Sequence, residues 1–192
     1  MLSGVEILVI DEADRMLDMG FIPDVEKLCS LMPQKHQTLF FSATMPPPVK
    51  KLADTFLNEP KIIEVSRPAQ AAETVKQLKA SVNPRSKRGA LRNLLRRKEV
   101  STAIIFCNRK RDVRSLHESL LRHGFSAVQL QGDMDQSTRM EMLAKFKTGD
   151  AKILVASDVA ARGLDIPAVS HVFNFEVPTS ADDYVHRIGR TG

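Results

Sequence analysis

Ile153-Leu154-Val155-Ala156-Ser157-Asp158-Val159-Ala160-Ala161-Arg162-Gly163-Leu164-Asp165 is the stretch that decides the fold. Its first four residues are all apolar and leave no polar face, as expected of a strand covered on both sides of a parallel sheet. The small residues, the glycine and the two carboxylates beyond them let a backbone approach a ligand closely. They stand just past a strand's carboxyl end, where open α/β sheets bind ligands. An ordinary capped turn would use the same residue types, so position alone leaves both readings open.

Similar apolar runs recur on either side, at residues 5–10, 38–41, 103–107, 126–130 and 171–175. Amphipathic stretches separate them. Val49, Leu52, Ala53, Phe56 and Leu57 follow helical spacing, opened by Pro46, Pro47 and Pro48 and closed near Pro60. Val113, Leu116, Leu120 and Leu121 predict a second apolar stripe that ends at Gly124. Met140, Leu143, Ala144 and Lys147 predict a third helix, ending near Gly149. This alternation means α/β with mostly parallel sheets. Residues 66–88 break the rhythm with Pro68, Pro84 and few apolar runs. They divide a first unit, 1–66, from a linker and entry segment, 67–88, and a second unit, 89–192. The first unit is short for a doubly wound domain, and neighbouring strands are expected before Met1.

Composition narrows the class. Hydrophobic residues make up 43% and charged residues 27%, which supports a folded core over disorder. No apolar run approaches the roughly 20 residues that span a bilayer, and the first residues lack a secretory pattern. Cys29 and Cys107 have no cysteine or histidine neighbours that would make a zinc or disulfide framework. A soluble, cytoplasmic protein without membrane partners is the expectation. The net charge of +5 hides an asymmetry: residues 1–66 carry 6 Lys and Arg against 10 Asp and Glu, residues 67–192 carry 22 against 13. The basic second part suits a polyanion such as nucleic acid, although a solvated charged face gives the same sign.

Two further strand ends in the first unit carry chemistry. Asp11-Glu12-Ala13-Asp14 follows Ile10, and adjacent carboxylates there can hold a Mg²⁺–phosphate complex and orient a water. Ser42-Ala43-Thr44 ends the next strand with two hydroxyls able to link neighbouring loops. Near the end of the chain, Ser180 can cap a helix with Asp182 and Asp183 in its first turn. His186, Arg187 and Arg190 then fall toward its far end, the two arginines three residues apart, a spacing similar to a phosphate clamp.

Together these segments resemble the DEAD-box family of ATP-dependent RNA helicases. The resemblance is carried by Asp11-Glu12-Ala13-Asp14, Ser42-Ala43-Thr44, Ile104-Ile105-Phe106-Cys107-Asn108, Gly132-Asp133-Met134 with Gln136 and Arg139, Ala161-Arg162-Gly163-Leu164-Asp165, and His186-Arg187-Ile188-Gly189-Arg190-Thr191-Gly192. It implies RecA-like parallel sheets flanked by helices, with the C-terminal part of one RecA-like domain followed by most of a second. It also implies ATP and Mg²⁺ as cofactors. Asp11 would hold Mg²⁺ through water, with Glu12 beside it polarising the attacking water. Asp14, Ser42 and Thr44, with His186, would couple the nucleotide chemistry to domain closure. Gly163 and Asp165 would lie near the ribose, Arg190 would be an arginine finger, and Arg187 would help hold the closed interface around the nucleotide.

RNA contacts, to phosphates and 2′-hydroxyls with little sequence preference, would fall to Phe106, Asn108, Arg109, Gly132, Gln136, Arg139 and Ser157. The partners implied are single-stranded or short duplex RNA, with RNP or RNA-degradation-complex proteins as candidates. Ser157 stands where the family usually has Thr, and Gln131 where His is frequent. No G-x-x-x-x-G-K-[ST] phosphate loop and no adenine-reading Gln motif occur in the chain, and it ends one residue before the family's second finger arginine. An internal fragment of an RNA helicase, itself without ATPase activity, is therefore the expectation. The alternatives are a catalytically inactive RNA-binding RecA-like module and a DNA helicase or translocase of the same superfamily. The Asp-Glu-Ala-Asp, Ser-Ala-Thr and His-Arg-Ile-Gly-Arg variants argue against the last. The cluster Arg85, Lys87, Arg88, Arg92, Arg96, Arg97 and Lys98 matches no family motif and reads as a solvated helix face.

Overall fold

The computed structural model describes residues 2–18, 20–64, 75–161 and 166–191. The chain divides into two units, Met1–Ala69 and Gln70–Gly192. Both are α/β with parallel strands, as the alternation of apolar runs and amphipathic stretches predicts.

In the first unit, β1 (Ile7–Ile10) and β2 (Gln37–Phe40) pair in parallel with Ile7 opposite Gln37 and Ile10 opposite Phe40. Helices α1 (Ala13–Asp18), α2 (Ile22–Ser30) and α3 (Pro47–Phe56) complete it. Prolines at the first positions of α3 are pre-set for a helix and sacrifice no intrahelical N–H. Ile10, Ala13 and Val49 form the centre of the core, with Leu8, Met16, Val25, Phe40 and Phe56 packed around them. The other face is open. Ile7, Val9 and Phe41 are 56%, 54% and 52% exposed, so the expectation of strands buried on both sides fails here. The helices cover the side that Leu8, Ile10 and Phe40 face, and among the described residues nothing covers the reverse.

The second unit opens with α4 (Lys87–Leu95) and continues β3 (Ala103–Phe106), α5 (Lys110–Arg122), β4 (Ala127–Leu130), α6 (Gln136–Thr148), β5 (Ile153–Ala156), α7 (Asp158–Ala161), β6 (His171–Asn174) and α8 (Ala181–Ile188). The sheet order is β4-β5-β3-β6, all parallel. Here both faces are covered. Ile104, Phe106, Leu154, Ala156, Val128 and Leu130 point into one core, and Ala103, Ile105, Cys107, Ile153, Val155 and Ala127 into the other. That is the two-residue period of a strand, with apolar residues at every step of β3 and β5. Each fully buried aliphatic side chain contributes about 1.5–3 kcal/mol.

Two helical stripes are narrower than the sequence predicts. Leu121 and Met140 are about half exposed, because α5 buries Val113, Leu116 and Leu120, and α6 turns Leu143 and Phe146 inward instead. At the end of α6, Gly149 takes φ 84°, a left-handed conformation that glycine adopts without a Cβ penalty.

Cys107 lies in the second core, where burial, then Glu176 and Asp112, push its thiol up to about 12. Cys29 is half-buried, and its thiol is raised too, again by burial first and then by Glu26. Iodoacetamide at mildly alkaline pH should therefore label Cys29 well before Cys107, since the thiolate is the nucleophile. Equal labelling rates by timed mass spectrometry would show that β3 opens more readily than its packing implies.

Candidate functional site

In the first unit the site grows out of the carboxyl ends of β1 and β2. Glu12 has φ 51°, a left-handed conformation that costs a non-glycine residue of order 1–2 kcal/mol. The turn is secured from both sides. The Glu12 N–H donates to Asp11 Oδ1 at 2.8 Å, and the Glu12 carbonyl accepts from the N–H groups of Arg15 and Met16. Strain held at a strand end is a feature of functional turns. Asp11 is left exposed, and neither carboxylate forms an ion pair among the described residues.

Asp14 is turned the other way, into the loop after β2. Its Oδ2 accepts from the Thr44 N–H and the Thr44 hydroxyl, both at 2.8 Å. Ser42 Oγ accepts from the Asp14 N–H at 3.2 Å and donates to the Thr44 carbonyl at 2.7 Å. The three residues thus form one closed network that fixes the Asp11–Glu12 turn against the second strand. Thr44→Val should remove one charge-assisted hydrogen bond, worth about 1 kcal/mol at a half-exposed site. Amide exchange across α1 should then accelerate roughly fivefold; unchanged exchange would mean the network does not hold the turn.

In the second unit the loops after β3, β4 and β5 are tied to one another. Lys110 Nζ bonds Asp133 Oδ1 at 2.7 Å, and Arg139 Nη2 donates to the Ala160 carbonyl at 3.1 Å. The Ser157 N–H donates to the Leu130 carbonyl at 3.2 Å. Arg109 and Gly132 are exposed on these loops, and Gln136 is exposed at the first position of α6. Asp135 caps α6, accepting from the Thr138 N–H at 2.8 Å. Hydrogen bonds from the Ser137 hydroxyl, the Thr138 N–H and the Thr138 hydroxyl hold its carboxyl well below the ordinary range. A lowered value makes the cap's stabilisation complete above the ordinary carboxylate range, to be lost only as pH falls through the depressed one.

Three expected ligand contacts are not available as read. Phe106 is buried, its ring packed with Ile104 and Leu154 and capped by the Arg187 guanidinium 5.2 Å from the centroid. Its carbonyl accepts from Phe175 and Glu176, so neither ring nor carbonyl faces a ligand. Ser157 is buried at the edge of the site.

Arg187, expected at a nucleotide-bearing interface, is 1% exposed, and all five of its N–H donors are used inside the unit. Nε and Nη2 grip Asp158 at 2.7 Å each, and the second Nη2 hydrogen goes to Asn108 Oδ1 at 2.7 Å. Nη1 donates to Asn174 Oδ1 at 3.1 Å and to the Glu176 carbonyl at 2.8 Å. No donor remains for a phosphate. A guanidinium fork suits a carboxylate as well as it suits phosphate, and Asp158 lies within reach.

Arg187 therefore joins the carboxyl ends of three adjacent strands, β5, β3 and β6. Its partners Asp158, Asn174 and Glu176 are not prominent in the sequence. The one signal is a polar Asn174 interrupting an apolar strand, followed two residues later by a carboxylate. Arg190 differs: it is half-exposed, and its guanidinium makes no hydrogen bond or ion pair among the described residues. His186 is half-exposed on α8, whose cap is the Ser180 hydroxyl accepting from the Asp183 N–H. Gly163 and Asp165 lie outside the described residues.

Mg²⁺ held through water needs one or two carboxylates and otherwise phosphate and water oxygens. Asp11, exposed and with one oxygen engaged only by a neighbouring N–H, fits that donor set, and Glu12 stands beside it. No group of three or more potential metal ligands occurs among the described residues, so a cage built wholly of protein groups is not present there. Among the described residues no helix is long and apolar enough to cross a membrane.

Residues 1–52 match the DEAD/DEAH box helicase family, and residues 86–192 match the helicase conserved C-terminal domain. The chain is 47% identical over 191 residues to the DEAD-box ATP-dependent RNA helicase CshA of Bacillus subtilis, covering all of this chain and 39% of that protein. Among solved structures, S. cerevisiae Dbp5 bound to RNA and ADP BeF3 superposes with a TM-score of 0.86 at 32% identity, over 100% of this chain and 51% of that one. A DEAD box protein from Methanococcus jannaschii gives a TM-score of 0.58 at 36% identity, over 99% of this chain and 51% of that one. The chain thus spans about two fifths of the length of the CshA relative it matches.

Proposed function

This chain belongs to the DEAD-box helicase family, and from that premise we propose that it takes part in ATP-dependent RNA remodelling, in which ATP binding and hydrolysis drive local separation of short duplexes or rearrangement of RNA–protein complexes. The observation that carries the RNA half of this reading is the linkage of the loops after β3, β4 and β5 at one edge of a single parallel sheet. That linkage presents Arg109, Gly132 and Gln136 together, and Arg139 close by, on the basic unit of the chain. Asn108 contributes less directly, since its amide oxygen is held by Arg187 and its nitrogen donates to the Val177 carbonyl. Contacts of this kind go to phosphate and 2′-hydroxyl groups, and sequence preference is accordingly small.

In the nucleotide half, Asp11 takes the place of the Mg²⁺ ligand and Glu12 that of the group that orients and polarises water. Mg²⁺ bound with nucleotide phosphates would neutralise charge on the transferring phosphoryl group. Asp14, Ser42 and Thr44 hold the Asp11–Glu12 turn in place. Arg190, with its guanidinium uncommitted among the described residues, suits a finger that answers charge developing on phosphate. Arg187 is a positioning residue, since every donor it has is spent within its own unit. Two cysteines that form no disulfide accord with the cytoplasmic location this reading assumes.

For the chain by itself, RNA binding without hydrolysis is the reading its sequence favours, because its 192 residues contain no phosphate loop. The test is fluorescence anisotropy of the chain with labelled single-stranded RNA at two salt concentrations. Each phosphate neutralised releases counterions, so affinity should fall steeply as salt rises. Absence of binding at low salt, or binding insensitive to salt, would refute the RNA reading.

A further inference from the structure

The basic residues from Arg85 to Lys98 have no part in the reaction proposed above, and the fold gives them a neighbour. Helix α4 lies along α5. Leu91 and Leu95 of α4 share one core with Val113, Leu116 and Leu120 of α5. Arg88 Nη2 donates to Ser115 Oγ at 2.9 Å, and the Arg96 guanidinium lies 5.1 Å from the centroid of the Phe125 ring, so the two helices are neighbours on one side of the sheet. Arg88, Arg92 and Arg96 recur every four residues and therefore fall within an arc of about 80° around α4. Arg111, Arg114 and Arg122 fall within a similar arc of about 80° around α5. All of these are exposed except Arg92, which is half-buried.

Carboxylates on this face are few. Glu118 lies within the α5 arc, and Asp112 at its side faces Arg111 at 3.9 Å. Among the described residues the other five arginines make no ion pair. Of the large hydrophobic residues on the two helices, only Leu121 is exposed.

We infer that the joined outer face of α4 and α5 is an accessory track for RNA phosphates, continuous with Asn108 and Arg109 at the start of α5. The inference rests on the RNA-binding reading of the second unit and extends it beyond the strand-end loops. Charge complementarity selects a polyanion, and the planar fork of arginine matches phosphate in bidentate fashion. A protein partner would be expected to find a cluster of aromatic or aliphatic anchor sites, and of the large hydrophobic residues on the two helices only Leu121 is exposed. The 13 residues of α5 extend about 20 Å, room for roughly six phosphates at about 3.4 Å per step of a stacked strand.

The test uses the full chain and two labelled uridine RNAs, one of about 20 nucleotides and one of about six. The variant is the triple charge reversal Arg88→Glu, Arg92→Glu and Arg96→Glu. The long RNA should bind at least roughly tenfold more weakly, with a salt slope shallower by about two, since each phosphate left without its arginine takes about 0.7 from the slope. The short RNA, held by the strand-end loops, should lose less than about threefold. If the reversal disturbs the circular dichroism spectrum, the corresponding triple glutamine variant supports the same comparison. Unchanged affinity for the long RNA, or equal losses for both lengths, would overturn the track. So would competition by polyglutamate as effective as that by RNA, which would mark the face as a dock for acidic protein. Loss of long-RNA binding on Arg109→Ala and Gln136→Ala, with the triple arginine variants binding as the wild type does, would overturn the track while leaving the RNA reading intact. A wild-type chain that binds neither RNA would overturn both.

Discussion

Arg187→Ala is expected to cost the second unit about 3–5 kcal/mol, the range for breaking a buried ion pair by removing one partner. A domain of this size has only about 5–15 kcal/mol in total, so the urea midpoint should fall by a large fraction of its value. The reason is the number of groups that lose their partner at once. Asp158 keeps its charge with a side chain only 18% exposed, and Asn108, Asn174 and the Glu176 carbonyl each lose a donor. The losses fall on the ends of three neighbouring strands, so they should weaken the edge of the sheet as a unit. Arg187→Lys should be intermediate, because an ammonium keeps the charge but cannot span Asp158, Asn108 and Asn174 with one rigid fork.

A double-mutant cycle with Arg187→Met and Asp158→Asn should show favourable coupling of about 0.5–3 kcal/mol, since the second change relieves the uncompensated carboxylate left by the first. An Arg187→Ala variant with the wild-type midpoint would mean that water and side-chain rearrangement replace the guanidinium, and the hub would then have no structural role.

The same arginine shows where sequence reasoning reaches its limit. Ser180, Asp182, Asp183 and the spacing of Arg187 and Arg190 are local signals, and they are enough to place α8, its cap and its cationic end. What Arg187 binds is not local. Its partners lie up to 79 positions away in the chain, and a fork that fits phosphate fits Asp158 equally well. Only the packing shows that the Arg187 guanidinium is consumed while that of Arg190 is not, among the described residues.

The strands tell a related story. Residues 103–106 and 153–156 are legible as doubly covered strands, and both are fully buried. The run ending at Ile10 has the same apolar continuity, yet Ile7 and Val9 are exposed. Composition can show that a strand is able to be buried on both faces, but not which faces are covered. Phe106 fails as a ligand contact for a simpler reason: the two-residue period places it with Ile104, on the core side.

The other large effect concerns hydrolysis. The chain as it stands should show no RNA-stimulated ATPase above background. In the role proposed for them, Asp11 and Glu12 act only on phosphates already held in line with a water. A phosphate loop would do that holding with a ring of backbone N–H donors and a lysine, and no such loop occurs in these 192 residues. Correct positioning is worth about 7–11 kcal/mol in well-oriented systems, enough to place any residual rate below detection. In this chain Glu12→Gln should therefore change nothing measurable. In a polypeptide that joins the chain to a phosphate-loop segment, the same substitution should lower turnover about 10²–10⁴-fold while leaving ATP and RNA binding nearly unchanged, because the amide keeps the shape of the side chain but cannot polarise water. Arg190→Ala should also slow turnover there, through the transition state rather than through binding. Steady-state phosphate release by the two polypeptides, each with and without the Glu12 substitution, separates these expectations. Activity in the 192-residue chain would show that the phosphates are gripped by groups other than a loop. Full activity of the joined polypeptide carrying Glu12→Gln would remove Glu12 from the chemistry and leave the strained turn at φ 51° without a catalytic purpose.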